Sequence, residues 1–173
     1  KTDLKVDVGA DTQPMRRALA FCRSIEASKT IQREFSAVVA EAAEDGEVIA
    51  NPAEAGVERL RVEIEHVDGT FNAKSRGRLL QWLKEDTDDG VCRVLTNARC
   101  LSEGVDVPAL DGIMFLHPRK SQIDVVQSVG RVMRRAEGKR MGYVILPVGV
   151  PAGMAPEEAL KDNDRYRVVW QIL

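Results

Sequence analysis

Gln127, Arg131 and Arg134 have the spacing best suited to chemistry in this sequence. Arg131 and Arg134 stand three positions apart. On a helix, two such planar guanidiniums converge on one small anion, a geometry that suits phosphate. At about 100° per residue, the stretch from Ser121 to Arg135 resolves into two faces. Val125, Val126, Val129, Val132 and Met133 fall on one side. Asp124, Gln127, Arg131, Arg134 and Arg135 fall on the other. Ser121 followed by Asp124 is an N-terminal capping pattern. Gly130 inside such a helix costs about 1 kcal/mol relative to alanine, which a plain surface helix has no reason to bear. Residue chemistry alone leaves two readings open, a solvated basic helix and a face that grips phosphate.

The elements that must position this stretch alternate between strand and helix. Arg17 to Cys22 is a short apolar run that suits a buried strand. Arg23 and Ser24 follow at its carboxyl end, and Ile25 to about Ala43 has helical spacing. Asp45 to Val57 is loop-like. Glu58 to Val67 alternates apolar and charged residues, as in a half-exposed strand near a sheet edge. Asn72 to Glu85 is helical, with Leu79, Leu80 and Leu83 inward. Val91 to Leu95, Gly112 to Leu116 and Tyr143 to Val148 are further strands. Tyr166, Val169, Trp170 and Leu173 give residues 157–173 a helical stripe. Strands alternating with helices predict an α/β fold, doubly wound around a mainly parallel sheet with helices on both faces.

Composition narrows the class. The chain has 173 residues, 44% hydrophobic and 30% charged, enough for one domain with a real core. The net charge is −2, so any nucleic-acid contact must use a local patch; Lys and Arg do cluster between Arg131 and Arg140. No apolar run is long enough to span a membrane. Cys22, Cys92 and Cys100 lack metal-type spacing and read as reduced thiols of a cytoplasmic protein. His66 and His117 are isolated in sequence and suggest no metal site. Gly69 to Ser75 loosely imitates a phosphate-binding loop. Ala73 stands where that motif needs glycine, and the spacer is one residue short. The sequence starts at Lys1 and stops within a helical pattern, which suggests a segment of a longer protein.

Gln127-Ser-Val-Gly130-Arg131-Val-Met-Arg134 resembles the last motif of superfamily 2 helicases and translocases, Q-x-x-G-R-x-x-R. Upstream, Thr96 followed by Gly104-Val-Asp106-Val-Pro108 is similar to the fifth motif of that family. The strand, the His66-Val-Asp-Gly69 turn and a helix bearing Arg76 also match in order, and the resemblance runs from about Arg17 to Pro147. Glutamine at 127 and the Gly-Val-Asp-Val-Pro run look most like DEAD/DEAH-type motors of restriction-modification enzymes and related DNA translocases. The resemblance implies a RecA-like second motor lobe over residues 15–148. Residues 1–14 would then be a linker, and 149–173 a linker and the start of a helical extension. It implies arginine fingers at Arg131 and Arg134, with Gln127 orienting the phosphate or the attacking water. Gly104, Asp106 and Gly130 would face the nucleotide. Arg23, Ser24, Arg76 and Thr96 would contact the nucleic-acid backbone. ATP with Mg2+ would be held mainly by an N-terminal RecA-like lobe of the same parent chain, with DNA as the track ahead of RNA. The rival class is a non-enzymatic doubly wound module that binds a nucleotide or a protein, since fold alone does not fix function.

Overall fold

The computed structural model describes residues 15–44, 61–88, 90–98, 100, 107, 110–118, 121–137, 139, 141–155, 158–159, 163–164 and 166–172. The strands are β1 (Arg17–Phe21), β2 (Arg61–Asp68), β3 (Val91–Ala98), β4 (Gly112–Phe115) and β5 (Tyr143–Ile145). The helices are α1 (Ile25–Glu44), α2 (Ala73–Lys84), α3 (Gln122–Val132) and the short α4 (Arg167–Trp170). The strands form a single sheet in the order β2-β3-β1-β4-β5, and every pairing is parallel. The chain is thus an α/β protein with a parallel sheet. β2 lies at an edge, as its alternating sequence predicts.

Register sorts the side chains by size. Leu19 pairs with Leu95 and Ile113, and Phe21 pairs with Asn97 and Phe115. This face is bulky and joins Leu79 and Leu83 of α2 and Val125, Val129 and Val132 of α3 in one core. Phe21 and Phe115 stack with centroids 5.5 Å apart and planes 18° from parallel. The opposite face carries the smaller Ala18, Ala20, Cys92 and Val94. α1 lies on that side, where Ser28 reaches His66 and Thr96. Small residues there let the helix backbone come close to the strands.

The α2 boundaries follow local chemistry. Asn72 caps the helix by accepting from Ser75 N at 2.8 Å. At the other end the Glu85 N–H donates to Gln81 O, 3.0 Å away. Elsewhere the structure departs from the sequence reading. β3 runs on to Ala98 rather than ending at Leu95, because parallel pairing with β2 continues through Asp68↔Ala98. β5 stops at Ile145, where its ladder with β4 ends. In the C-terminal region the longest described helix is α4, far shorter than 157–173. Tyr166 and Val169 are buried in the same core as α3, so this segment packs on the lobe. The loop expected over 45–57 lies outside the described residues.

Cys22 and Cys92 are buried. Burial, aided by the Asp111 carboxylate, pushes the Cys92 thiol up to about 12, so it stays a thiol. Among the described residues, no helix is long and apolar enough to cross a membrane.

Phe115→Ala removes a fully buried ring that stacks across the central pair of strands. We expect it to lower stability by about 3–5 kcal/mol in urea unfolding. A loss below about 1 kcal/mol would show that this face repacks freely.

Candidate functional site

α3 begins with the predicted cap: Ser121 Oγ accepts from Asp124 N at 3.2 Å. It ends earlier than predicted. Val132 is the last helical residue and Met133 the cap, with the Met133 N–H donating to Val129 O at 3.0 Å. Arg131 therefore occupies the last turn, and Arg134 the bend just beyond it. Arg134 N still donates to Arg131 O at 3.3 Å, which holds the two residues on one tight turn.

The buried face is also rotated from the predicted one. Val125, Ser128, Val129 and Val132 point inward. Val126 is 53% exposed and Met133 69% exposed, beside Ile123 at 69%. The serine takes the inner place because its hydroxyl donates to Asp124 O at 2.7 Å and so carries no unpaired polar group inward. Gln127 and Gly130 lie on the exposed face. A Cβ added at Gly130 would meet nothing within 4 Å, so bare backbone is open to an approaching group.

Arg131 is half-buried. Burial, and next the Arg134 guanidinium, push its cation below the ordinary arginine value. The two like charges act on each other across the turn.

Lys139 was not singled out by sequence, yet it holds this turn in place. Its Nζ donates to Leu110 O at 2.6 Å, to Arg134 O at 3.1 Å and to Val132 O. A cation at a helix C-terminus satisfies the last carbonyls and complements the dipole. Burial pushes the Lys139 ammonium down, while the Asp111 carboxylate opposes that shift. Gly142 supports the same turn from the side: a Cβ there would come within 2.8 Å of Val132 O. These contacts put the arginine turn beside the amino ends of β4 and β5.

The other candidates gather at the opposite, carboxyl, ends of the strands, where open parallel sheets place ligands. Arg23 is exposed just after β1. Ser24 Oγ accepts from Ala27 N at 3.1 Å and so caps α1. Arg76, in the first turn of α2, donates from Nη2 to Phe71 O at 3.2 Å. Its buried Nε has no hydrogen-bond partner. Thr96 departs from the expectation. It is fully buried within β3, and its hydroxyl lies 3.3 Å from Ser28 O and 3.2 Å from Glu65 O. The extra length of β3 carries it inside, so its side chain braces α1 against the sheet. Gly104 and Asp106 lie outside the described residues. Sequence reasoning also missed Ser28, His66 and Asp68, which are joined by hydrogen bonds. The available signal was His66 and Asp68 two apart on one strand face, with Ser28 one helical turn after Ser24. No group of three metal-ligating side chains occurs among the described residues.

The family model described as "Helicase conserved C-terminal domain" matches residues 4–136. The ATP-dependent Type ISP restriction-modification enzyme LlaBIII, solved bound to DNA, is 41% identical with a TM-score of 0.73. That match covers 94% of this chain and 10% of that enzyme. A protein of Sulfolobus islandicus filamentous virus described as a helicase is 40% identical over 53 residues, covering 31% of this chain and 10% of that protein. A probable helicase of African swine fever virus is 37% identical over 57 residues, covering 33% of this chain and 7% of that protein. These matches thus span about a tenth or less of each relative's length.

Lys139→Met keeps the stem and removes the donor to three carbonyls. We expect a loss of about 1–3 kcal/mol in thermal or urea unfolding, with faster amide exchange at Arg134. Unchanged stability and exchange would mean that the turn does not depend on the lysine.

Proposed function

The chain belongs to the family of helicase conserved C-terminal domains, and from that premise we propose that it is the second motor lobe of an ATP-driven DNA translocase or helicase. The observation that carries this reading is the Arg131–Arg134 pair on one turn, with Lys139 bonded to the carbonyls around it. The residues fit a polyphosphate: paired cations, an adjacent exposed amide at Gln127, and open backbone at Gly130. ATP with Mg2+ supplies the phosphoryl-transfer chemistry. An N-terminal RecA-like lobe of the same parent chain is proposed to hold most of it.

Phosphoryl transfer is catalysed chiefly by positioning and charge stabilisation. Arg131 and Arg134 reach over the cleft as arginine fingers that neutralise charge on the transferring group. Gln127 orients that group or the attacking water, and Gly130 lets the two lobes approach. Gly104 and Asp106 complete the nucleotide side. Arg23, Ser24 and Arg76 form the contact to the sugar-phosphate track, which positions a strand without reading its sequence. Thr96 serves that contact from inside by bracing α1. DNA is the preferred track, supported by 41% identity to a restriction-modification enzyme solved with DNA.

In the intact protein, Arg131→Ala or Arg134→Ala should lower ATP turnover by about 10³-fold or more while the thermal transition stays near wild type. A folded Arg134→Ala variant with normal turnover would remove the finger assignment. The lobe alone should show no ATP turnover, because the metal and most phosphate contacts are assigned to the other lobe. Steady-state hydrolysis by the purified lobe would contradict that division of labour. Translocation and strand-displacement assays with DNA and RNA in parallel test the choice of track.

A further inference from the structure

A chain of buried hydrogen bonds lies away from the arginine turn and is not used by the proposed motor chemistry. Ser28 Oγ and His66 Nδ1 are 2.7 Å apart. His66 Nε2 and Asp68 Oδ2 are 2.8 Å apart. Thr70 donates to Asp68 Oδ1 from its backbone N–H at 2.8 Å and from its hydroxyl at 2.6 Å. Ser28, His66 and Asp68 are 0%, 6% and 1% exposed.

The residue types invite comparison with a hydrolytic triad, and the geometry rejects it. The seryl oxygen is sealed from solvent, so no substrate carbonyl reaches it. The Thr70 hydroxyl, together with the His66 and Thr70 amide contacts, outweighs burial and holds the Asp68 carboxyl down at about 2. Asp68 is therefore an ionised acceptor at neutral pH, and Nε2 carries the proton between them. The other ring nitrogen, Nδ1, is hydrogen-bonded to the Ser28 hydroxyl. Thr70 and His66 thus donate to Asp68 from opposite sides.

What it connects gives it meaning. Ser28 N donates to Ser24 O at 3.0 Å, and Ser28 O accepts from the Thr96 hydroxyl. The serine is thus fastened to the turn bearing Arg23 and Ser24. At the other end, the Asp68–Thr70 turn leads directly to Phe71. Phe71 meets the His66 ring edge-on at 5.9 Å, and its carbonyl accepts from Arg76 Nη2. A single ring therefore stands between two segments that reach the carboxyl end of the sheet on separate elements. We propose that His66 is a positioning residue that fixes the spacing between the Arg23–Ser24 turn and Arg76, acting through Ser28 on one side and Asp68 on the other, so that both groups meet the backbone of one strand. The inference rests on the reading of those residues as the nucleic-acid contact.

The test uses the intact parent protein and its ATPase activity titrated with single-stranded DNA. Ser28→Ala is the primary variant, since it removes one small hydroxyl and suits a helix; His66→Gln is the second, since it retains an N–H that reaches toward Asp68. Each should raise the DNA concentration for half-maximal stimulation by about fivefold to tenfold, with turnover at saturating DNA within about twofold of wild type. The double variant should be no worse than His66→Gln alone, because both changes interrupt one chain. The inference is overturned if folded Ser28→Ala titrates like wild type, or if turnover at saturating DNA falls while the half-maximal concentration does not move. It is also overturned if the two changes add. A wild-type protein with no stimulation by DNA would fail the motor reading and carry this inference with it. Stimulated wild type with unaltered variants would sink the His66 assignment alone.

Discussion

Parallel pairing of β1 with both of its neighbours is the constraint on which the lobe depends. Leu19 is matched to Leu95 on one side and Ile113 on the other, so the strand is locked along its length. Parallel strands align their carboxyl ends, so the loops that follow β1 and β2 emerge at the same end of the sheet, on either side of β3. That puts the starts of α1 and α2 at one end of the sheet, on opposite faces. α3 must then run back down the sheet after β4, which delivers its C-terminal turn to the opposite end. Two polar regions far apart on one lobe follow from one ladder of backbone hydrogen bonds.

The two regions are fixed by different physics. At the carboxyl end, hydrogen bonds join Ser28, His66, Asp68 and Thr70 in a buried chain, where misalignment would leave a buried group unpaired. At the end of α3, three cations share one turn. Lys139 gains from the helix carbonyls and dipole, while the Arg131 cation is opposed by that of Arg134.

Much of this was legible in the sequence. Strand cores, the β2 edge and both ends of α2 follow from alternation and capping, which are local and strong. α3 was misjudged in extent and rotation because valine at 126 and methionine at 133 look like core residues. A serine hydroxyl that bonds its own helix can take the inner place instead. Thr96 read as a loop residue because nothing local reveals that pairing with β2 carries the strand onward. Ser28 and His66 are 38 positions apart, and Lys139 acts on carbonyls, which have no letter in the sequence. Periodicity sees side chains along one element. It is blind to a contact defined by two elements or by backbone oxygen. Gly104 and Asp106 fall outside the described residues and stay with the sequence reading.

Ile123, Val126 and Met133 turn outward along α3 on the side that carries Gly130. Apolar area left in water has a thermal signature: its removal lowers the heat capacity, and the drive to remove it fades on cooling. A mating surface that covers this stripe would therefore grip less firmly in the cold than one joined only by charge. Such a joint would also tolerate salt better than the arginines beside it, because screening weakens ionic contacts and leaves oily ones largely untouched.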